Sequence, residues 1–225
     1  NTPYQMASDG TNLYVTDSGN NKIRKIVIST GVVTTLAGSG SSGSTDATGT
    51  AASFNYPSGI VTDGTNLYVT DYRNHRIRKI VISTGVVTTF AGSSAGSTDA
   101  TGTSAKFNYP GGVSIDGTNL YVADYDNHKI RKIAISTGAV TTLAGSGSQG
   151  SADGTGTAAT FKNIRGITTD GTNLYVGDYA NHKIRKIVIA TGVVTTFAGS
   201  GSSGSADATG TAAKFNGPMG IANDG

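Results

Sequence analysis

Apolar and polar residues alternate along this chain in short runs that turn signals separate. The window of residues 55–108 contains four such runs, at Ile60–Thr62, Leu67–Thr70, Arg76–Ser83 and Val86–Phe90. Runs of this length, rich in Val, Ile, Thr and Tyr, are typical of β-strands, and the Gly, Asn and Asp residues between them are typical of tight turns. The window therefore predicts four antiparallel strands in a meander, preceded by a turn at Tyr56–Gly59.

The same pattern then returns with a nearly constant period. The sequence Asn-Leu-Tyr-Val occurs at Asn12–Val15, Asn66–Val69, Asn119–Val122 and Asn173–Val176, at spacings of 54, 53 and 54 residues. A short sheet with apolar residues on both faces is a poor independent fold, and stacking such sheets around an axis buries both faces. We therefore predict an all-β fold, a β-propeller built of four-stranded antiparallel blades, in preference to a solenoid.

The period divides the chain into four complete repeats and part of a fifth, in a single propeller array over residues 1–225. The repeats cover residues 1–54, 55–107, 108–161 and 162–215, and the partial fifth covers residues 216–225. The inner strand is the first strand of each repeat, which is expected to lie nearest the propeller axis. The partial repeat aligns with residues 1–10, so it supplies a surplus inner strand. Because an unpaired strand tends to recruit a partner edge, we expect either a longer array or association between copies of the chain.

Each fourth strand leads into a long connection rich in Gly, Ser and Thr. Each connection ends in a phenylalanine, at Phe54, Phe107, Phe161 and Phe215. A loop of this length in a compact domain needs an anchor. Because all four repeats keep the residue, we predict a buried plug between blades rather than a ligand platform.

Composition narrows the chemistry. Cys is absent, which excludes disulfides, thiolate metal sites and a cysteine nucleophile, and all 14 acidic residues are Asp. The net charge is +3, but twelve of the 17 Lys and Arg residues lie in a repeated Lys/Arg-Ile-Arg-Lys motif, so the basicity is first a structural repeat. No run approaches 18 apolar residues, no signal-peptide pattern is present, and Asn1 predicts that the original start has been removed. The Ser, Thr and Gly content favours an extracellular or cell-surface location.

One run resembles a known family. Asp71–Ile80 reads Asp-Tyr-Arg-Asn-His-Arg-Ile-Arg-Lys-Ile, and Asp124–Ile133 and Asp178–Ile187 match it. This run resembles the NHL repeat, named for its Asn-His-Leu consensus, with Ile in place of Leu. The long connections resemble the long-loop bacterial and teneurin-like variety of that family. The resemblance implies a β-propeller, often six-bladed. It implies no single activity, because members of the family include protein-binding scaffolds, RNA-binding propellers and a metal-dependent lyase.

Three histidines occupy one position of the repeat, at His75, His128 and His182, where the first copy has Asn21. An axial metal would need a second set of ligands, and none accompanies them, so we favour a structural role and expect no metal or other cofactor. The neighbouring tyrosines complete a predicted surface ring of aromatic and histidine residues, at Tyr72, Tyr125 and Tyr179. The aspartates that end the second strand are predicted to bond the turn that follows, at Asp17, Asp71, Asp124 and Asp178.

The repeats differ most just before the inner strand. One repeat position holds five different residues, Tyr4, Ser58, Gly111, Arg165 and Met219. Entry to the inner strand should place these residues around one mouth of the central channel, where we predict a binding site. Arg165 is distinctive because it follows Ile164, which replaces the Pro of the other copies. Neutral variation at an exposed loop explains the same differences at least as well.

Near-identical blades favour a non-enzymatic binding or structural module, because catalysis needs several different groups converging in one place. We predict no catalytic residues, and an interaction with protein or glycan, or assembly, on the cell exterior. A protein partner or self-association ranks ahead of nucleic acid, and no membrane insertion is expected. The alternatives are a metal-dependent lyase- or hydrolase-type enzyme, supported by the resemblance alone, and a propeller that binds single-stranded nucleic acid through basic strands and tyrosines.

Overall fold

The computed structural model describes residues 3–223, which form β-strands joined by turns and single-turn 3₁₀ helices. The first eight strands are β1 (Pro3–Ser8), β2 (Asn12–Asp17), β3 (Lys22–Val27), β4 (Val33–Ala37), β5 (Pro57–Thr62), β6 (Asn66–Asp71), β7 (Arg76–Val81) and β8 (Val87–Ala91). The later strands are β9 (Pro110–Ile115), β10 (Asn119–Asp124), β11 (Lys129–Ala134), β12 (Val140–Ala144), β13 (Gly154–Thr155), β14 (Ile164–Thr169), β15 (Asn173–Asp178), β16 (Lys183–Val188) and β17 (Val193–Ala198).

The 3₁₀ helices occur in two sets. One set follows the second strand of each repeat, at Ser18–Asn20, Tyr72–Asn74, Tyr125–Asn127 and Tyr179–Asn181. The other set lies in the long connections, at Gly49–Ala51, Gly102–Ser104, Gly156–Ala158 and Gly210–Ala212. No helix within residues 3–223 is long and apolar enough to cross a membrane.

The strands form antiparallel sheets in which neighbours in sequence are neighbours in space. The sheets have the orders β1-β2-β3-β4, β5-β6-β7-β8, β9-β10-β11-β12 and β14-β15-β16-β17, and β13 adds to the outer edge of the last one beside β17. The chain divides into two compact units, the first up to Val113 and the second from Ser114 onward. This arrangement confirms the predicted all-β fold of four-stranded antiparallel sheets.

Each first turn is closed by an aspartate. The Asp9 carboxylate accepts hydrogen bonds from the backbone N–H groups of Thr11 and Asn12 at 2.9 and 2.6 Å, and from the Tyr14 hydroxyl at 2.8 Å. Hydrogen bonds, above all from the Asn12 side chain, lower the pKa of Asp9, and burial together with the Asp9 charge raises the pKa of Tyr14 to about 12. One carboxylate therefore fixes both the turn and a core tyrosine.

The inner strand begins earlier than the sequence predicts. Most of the predicted turn at Tyr56–Gly59 is wrong, because β5 begins at Pro57, which pairs with Asp71. The register then shifts before Ile60, so the Pro and Gly residues that signal a turn here mark an irregular, bulged strand. Only Tyr56 has a turn-like backbone, with φ of 59°.

The core of each unit lies between consecutive sheets. In the first unit it joins Tyr14, Ile23 and Ala37 of the first sheet to Phe54 of the long connection and to Ile60, Leu67, Val69, Ile80 and Val87 of the next sheet. In the second unit it joins Tyr121, Ile130 and Ala144 to Phe161, Ile167, Leu174, Val176, Ile187 and Val194. We call the side of a sheet that packs on the preceding sheet its leading face, and the opposite side its trailing face.

Two of the phenylalanine anchors, Phe54 and Phe161, lie in these cores. Phe54, Phe107 and Phe161 have no exposed surface, which confirms the buried plug for three repeats, whereas Phe215 is half-buried.

Residues 216–223 lie beside β14 without forming a strand. The Asn223 side-chain amide donates to the Thr169 carbonyl oxygen at 2.7 Å, and its oxygen accepts from the Thr168 hydroxyl at 3.1 Å. A Cβ on Gly166 would collide with the Met219 carbonyl oxygen, so the two segments approach closely. The surplus inner strand predicted for residues 216–225 is therefore a repeat-equivalent segment with irregular backbone, and residues 224–225 lie outside the described residues.

Candidate binding surface

The aspartate that ends the second strand is buried and bonds the following turn. The Asp71 carboxylate accepts hydrogen bonds at 2.8 Å from the Asn55 backbone N–H, the Asn74 side-chain amide and the Arg78 guanidinium. Burial raises the pKa of Asp71, and the amide and guanidinium donors oppose that rise. In the second unit the same bonds join Asp178 to Lys162, Asn181 and Arg185. These aspartates have the turn-fixing role that the sequence predicts.

Arg78 joins this turn to the middle and to the end of the long connection. Its side chain is fully buried and donates to the Asp46 carboxylate at 2.6 Å and to the carbonyl oxygens of Thr45 and Ser53 at 3.0 Å each. Its guanidinium carbon lies 5.1 Å from the centre of the Phe54 ring, in cation–π geometry. One cation therefore stabilises a connection that has little regular structure of its own.

The long connection also protects the outer edge of the following sheet. Asp46 accepts hydrogen bonds from the Thr89 N–H and hydroxyl at 3.0 and 3.1 Å, and the Val87 N–H donates to the Ala47 carbonyl oxygen at 2.9 Å. In the second unit β13 pairs with β17, and Arg185 donates to Asp153 at 2.7 Å. We call residues 38–54 and their repeat equivalents the connecting loop.

These contacts change the interpretation of the basic motif. The central arginines Arg78, Arg131 and Arg185 are fully buried and paired with Asp71, Asp124 and Asp178. The alternative of nucleic-acid binding through the basic strands therefore loses these arginines, because a buried and paired arginine cannot contact a phosphate backbone. The flanking lysines stay on the surface.

The histidines join consecutive repeats through one backbone hydrogen bond each. The His75 backbone is left-handed, with φ of 57°, and its Nδ1 accepts the Tyr109 N–H at 3.1 Å. His128 and His182 accept the N–H groups of Asn163 and Gly217 in the same way, at 3.2 and 3.0 Å. In the first repeat the Asn21 side-chain oxygen accepts the Tyr56 N–H at 2.8 Å. Asn and His are therefore interchangeable here, since both tolerate the left-handed backbone and offer an acceptor.

A cluster of tyrosines lies on the first unit. The Tyr72 ring lies 6.4 Å from Tyr56 and 5.0 Å from Tyr109, and the His75 ring lies 4.6 Å from Tyr109. The Arg73 guanidinium lies 4.8 Å from the centre of the Tyr56 ring. All three tyrosines are half-buried. We call Tyr56, Tyr72 and Tyr109 the tyrosine cluster.

The second unit has an arginine between two tyrosines instead. The Arg165 guanidinium carbon lies 4.8 Å from the centre of the Tyr125 ring and 5.0 Å from that of the Tyr179 ring. One of its terminal nitrogens lies 3.5 Å from the Tyr125 hydroxyl. We call these three residues, all half-buried, the arginine stack. It joins a residue predicted for the channel mouth to two residues predicted for the surface ring.

The other residues predicted for the channel mouth differ in exposure. Tyr4 and Met219 are 38% and 45% exposed, whereas Ser58 and Gly111 are buried. The backbone of the buried pair is used in packing: the Ser58 and Gly111 carbonyl oxygens accept hydrogen bonds from Thr16 and Thr70 hydroxyls at 2.6 Å. Ser58 and Gly111 therefore have little side-chain surface to offer a ligand.

Sequence reasoning missed Tyr56 and Tyr109, which complete the tyrosine cluster. Both have left-handed backbone, with φ of 59° and 53°, and both precede the proline that opens an inner strand. An aromatic residue with left-handed backbone is uncommon. The sequence signal that could have identified these two tyrosines was their place directly before the proline. Asn163 takes the equivalent place in the second unit, where Arg165 fills the space.

Across residues 3–223, no group of three or more His, Cys, Asp or Glu side chains is placed to hold a metal ion.

Comparisons with known sequences agree with the repeat motif. A model of the NHL repeat family matches residues 54–80 and 107–133. The chain is 31% identical over 232 residues to Protein SUPPRESSOR OF QUENCHING 1, chloroplastic, of Arabidopsis thaliana, an alignment covering 93% of this chain and 22% of that protein. It is 29% identical over 260 residues to NHL repeat-containing protein 2 of Homo sapiens, covering 98% of this chain and 36% of that protein. The chain thus spans a minor part of the length of these relatives.

Comparison with solved structures supports the fold. An auxiliary nutrient binding protein from Bacteroides thetaiotaomicron superposes with a TM-score of 0.73 at 19% identity, over 97% of this chain and 53% of that chain. At this identity the similarity concerns the fold alone. Together with the sheet order and the family match, it confirms the predicted propeller architecture. The chain is therefore an NHL-repeat protein with a β-propeller fold.

Proposed function

We propose that this chain is a non-enzymatic binding module that takes an acidic peptide segment of a protein partner on the arginine stack. The observation that carries the proposal is Arg165 between the rings of Tyr125 and Tyr179. The stack stands at a position where the repeats differ from one another, whereas most other positions serve packing.

The composition of the arginine stack supports a protein partner. Tyr and Arg are enriched at protein interfaces, where half-buried rings give large contact area at little entropic cost. Stacking on the rings uses the faces of the Arg165 guanidinium, and hydrogen bonding to a carboxylate uses its edges. Tyr rings also stack on sugars, so a glycan is the competing ligand, and the composition supports a place on the cell exterior.

The test is binding of the intact chain to arrays of synthetic peptides and of acidic glycans. We expect binding to peptides that combine Asp or Glu with an aromatic residue, and at least about tenfold weaker binding by Arg165→Ser, which installs the residue of Ser58. Lys186→Ser removes the same charge from the same sheet and is the control.

Several results would contradict the proposal. Binding to glycans alone would show that the ligand is a glycan and not a peptide. An equal loss of binding in Arg165→Ser and Lys186→Ser would show that only net charge matters. A chemical change in any arrayed compound would move the chain to the enzyme class.

A further inference from the structure

The leading face of the first sheet is exposed where its repeat equivalent is buried. Met6 and Val33 are 60% and 47% exposed, whereas Ile60 and Val87, at the same positions of the next repeat, are 1% exposed each. The first sheet therefore presents an apolar face of the kind that other sheets bury.

The trailing face of the last sheet is exposed in the complementary way. Phe197 is 54% exposed, and Tyr175 and Ile184 are half-buried, whereas their equivalents Tyr14 and Ile23 are fully buried. A cavity of about 400 Å³ opens on this face, lined by Thr168, Tyr175, Ile184, Phe197 and Ile221. In the first unit the same place is filled by Phe54 of the connecting loop and by Ile60 and Leu67 of the following sheet.

The charges on these two faces are complementary. The Arg24 side chain is 32% exposed and pairs with Asp17 at 3.2 Å, and within residues 3–223 no connecting-loop carboxylate bonds it. Its equivalents Arg78 and Arg185 each bond such a carboxylate, Asp46 and Asp153. The equivalent acid in the last connecting loop is Asp207, which is exposed.

We propose that a second copy of this chain covers the trailing face of the last sheet, using the leading face of its own first sheet. Arg24 of the second copy bonds Asp207 and lies over the half-buried Phe215, as Arg185 bonds Asp153 and lies 5.0 Å from the Phe161 ring centre. Val33 of the second copy covers Phe197. The interaction is a separate function from the peptide binding proposed above.

Two segments compete for one place in this junction. Residues 216–223 already lie against β14, and they carry the Pro-x-Gly-Ile sequence of the inner strands. β1 carries Gln5 where the other inner strands have glycine, and at Gly59 a Cβ would lie 2.7 Å from the Gly111 carbonyl oxygen. Gln5 therefore places a side chain against β5 where the other inner strands have glycine. Residues 216–223 accordingly take the inner place beside β2 of the second copy, and they displace its β1.

The choice of a second copy follows from the residues themselves. The proposed junction contains an apolar, an ionic and a cation–π contact. The chain makes the same three kinds of contact between the sheets β1–β4 and β5–β8. A partner of other sequence would have to reproduce all three.

The first test is light scattering of the intact chain across a concentration series. We expect an oligomer, and at least about tenfold weaker association for Phe197→Asp, whose side chain is already more than half exposed, so that the single chain still folds. Asp207→Arg and Arg24→Asp each weaken association, and an equimolar mixture of these two variants restores it. Lys25→Asp, on the opposite side of the same strand, is the control and leaves association unchanged. The proposal would be overturned if the wild-type chain were a monomer at every concentration, or if Phe197→Asp left the strength of association unchanged.

A second test uses the absence of native cysteine. β1 pairs Met6 with Val15, and Ile221 is the repeat equivalent of Met6. A chain with Ile221→Cys and Val15→Cys should form a disulfide between two copies, seen as a dimer on a non-reducing gel. The Met6→Cys and Val15→Cys pair is the control for a link within one chain. A disulfide confined to single chains in the first variant would refute the exchange of strands.

Discussion

At the scale of the residue, a single acceptor position connects one repeat to the next. Asn21, His75, His128 and His182 all have left-handed backbone, and each accepts the N–H of a residue about 35 positions later. Only the neutral imidazole offers Nδ1 as an acceptor, because both ring nitrogens carry protons in the cation. Histidine thus adds a pH dependence that asparagine lacks.

His128→Asn tests this difference. Burial lowers the pKa of His128 below its usual 6.5, against the opposing influence of Asp126 and Asp178. The contribution of His128 to stability is therefore full above pH 6.5, and it is lost as the pH falls through the lowered pKa. We expect equal unfolding free energies near neutral or higher pH, and the Asn variant to be more stable by about 1 kcal/mol in acid. Urea unfolding at several pH values measures this, with Asn21→His as the converse variant. An unchanged pH profile in both variants would contradict the hydrogen-bond role.

At the scale of the element, the connecting loop depends on two side chains rather than on its own backbone. Phe54 is buried beneath Arg78, which bonds Thr45, Asp46 and Ser53 of the same loop. The sequence predicted the phenylalanine as an anchor because it recurs in register. It did not reveal that Arg78 holds the connecting loop, because Arg78 lies 32 residues after Asp46 and no local pattern joins the two.

Phe54→Ala should lower the free energy of unfolding by about 3–5 kcal/mol, since it removes a fully buried aromatic ring. Phe215→Ala, at the same repeat position but half-buried, should cost less than about 1 kcal/mol in dilute protein. Denaturant titration of both variants measures the difference. Equal small losses would show that the loops are simply solvated.

At the scale of the molecule, the repeat made the fold predictable, but it gave little information about the candidate binding surface. The same strand and turn signals occur four times, so a chance match at one place is corrected at the others. The clusters of the candidate binding surface depend on residues from consecutive repeats, such as Arg165 with Tyr125, which lie 40 positions apart. Tyr56, Tyr109 and Asn163 share one repeat position with left-handed backbone, which the alternation of apolar and polar residues does not specify.

The distribution of charge over the whole molecule predicts weak binding to nucleic acid. Three of the four central arginines of the basic motif are buried, so few cations act together on a phosphate backbone. We expect fluorescence anisotropy with single-stranded RNA to show weak binding at about 50 mM salt and none near about 150 mM. Sequence-selective binding that persists at the higher salt would contradict this expectation.

The position of each junction's contacts along the sequence bears on how such a chain arises. In the first repeat, three residues that contact the next repeat lie within about 35 positions of one another. They are the hydrogen-bond acceptor Asn21, the connecting-loop acid Asp46 and the phenylalanine anchor Phe54. A genetic duplication or deletion of one whole period therefore leaves every remaining junction with its full set of contacts. Such arrays can change in copy number in a single recombination event, and the 25 of 30 identities between Asp9–Gly38 and Asp63–Gly92 are the trace expected from recent events of this kind.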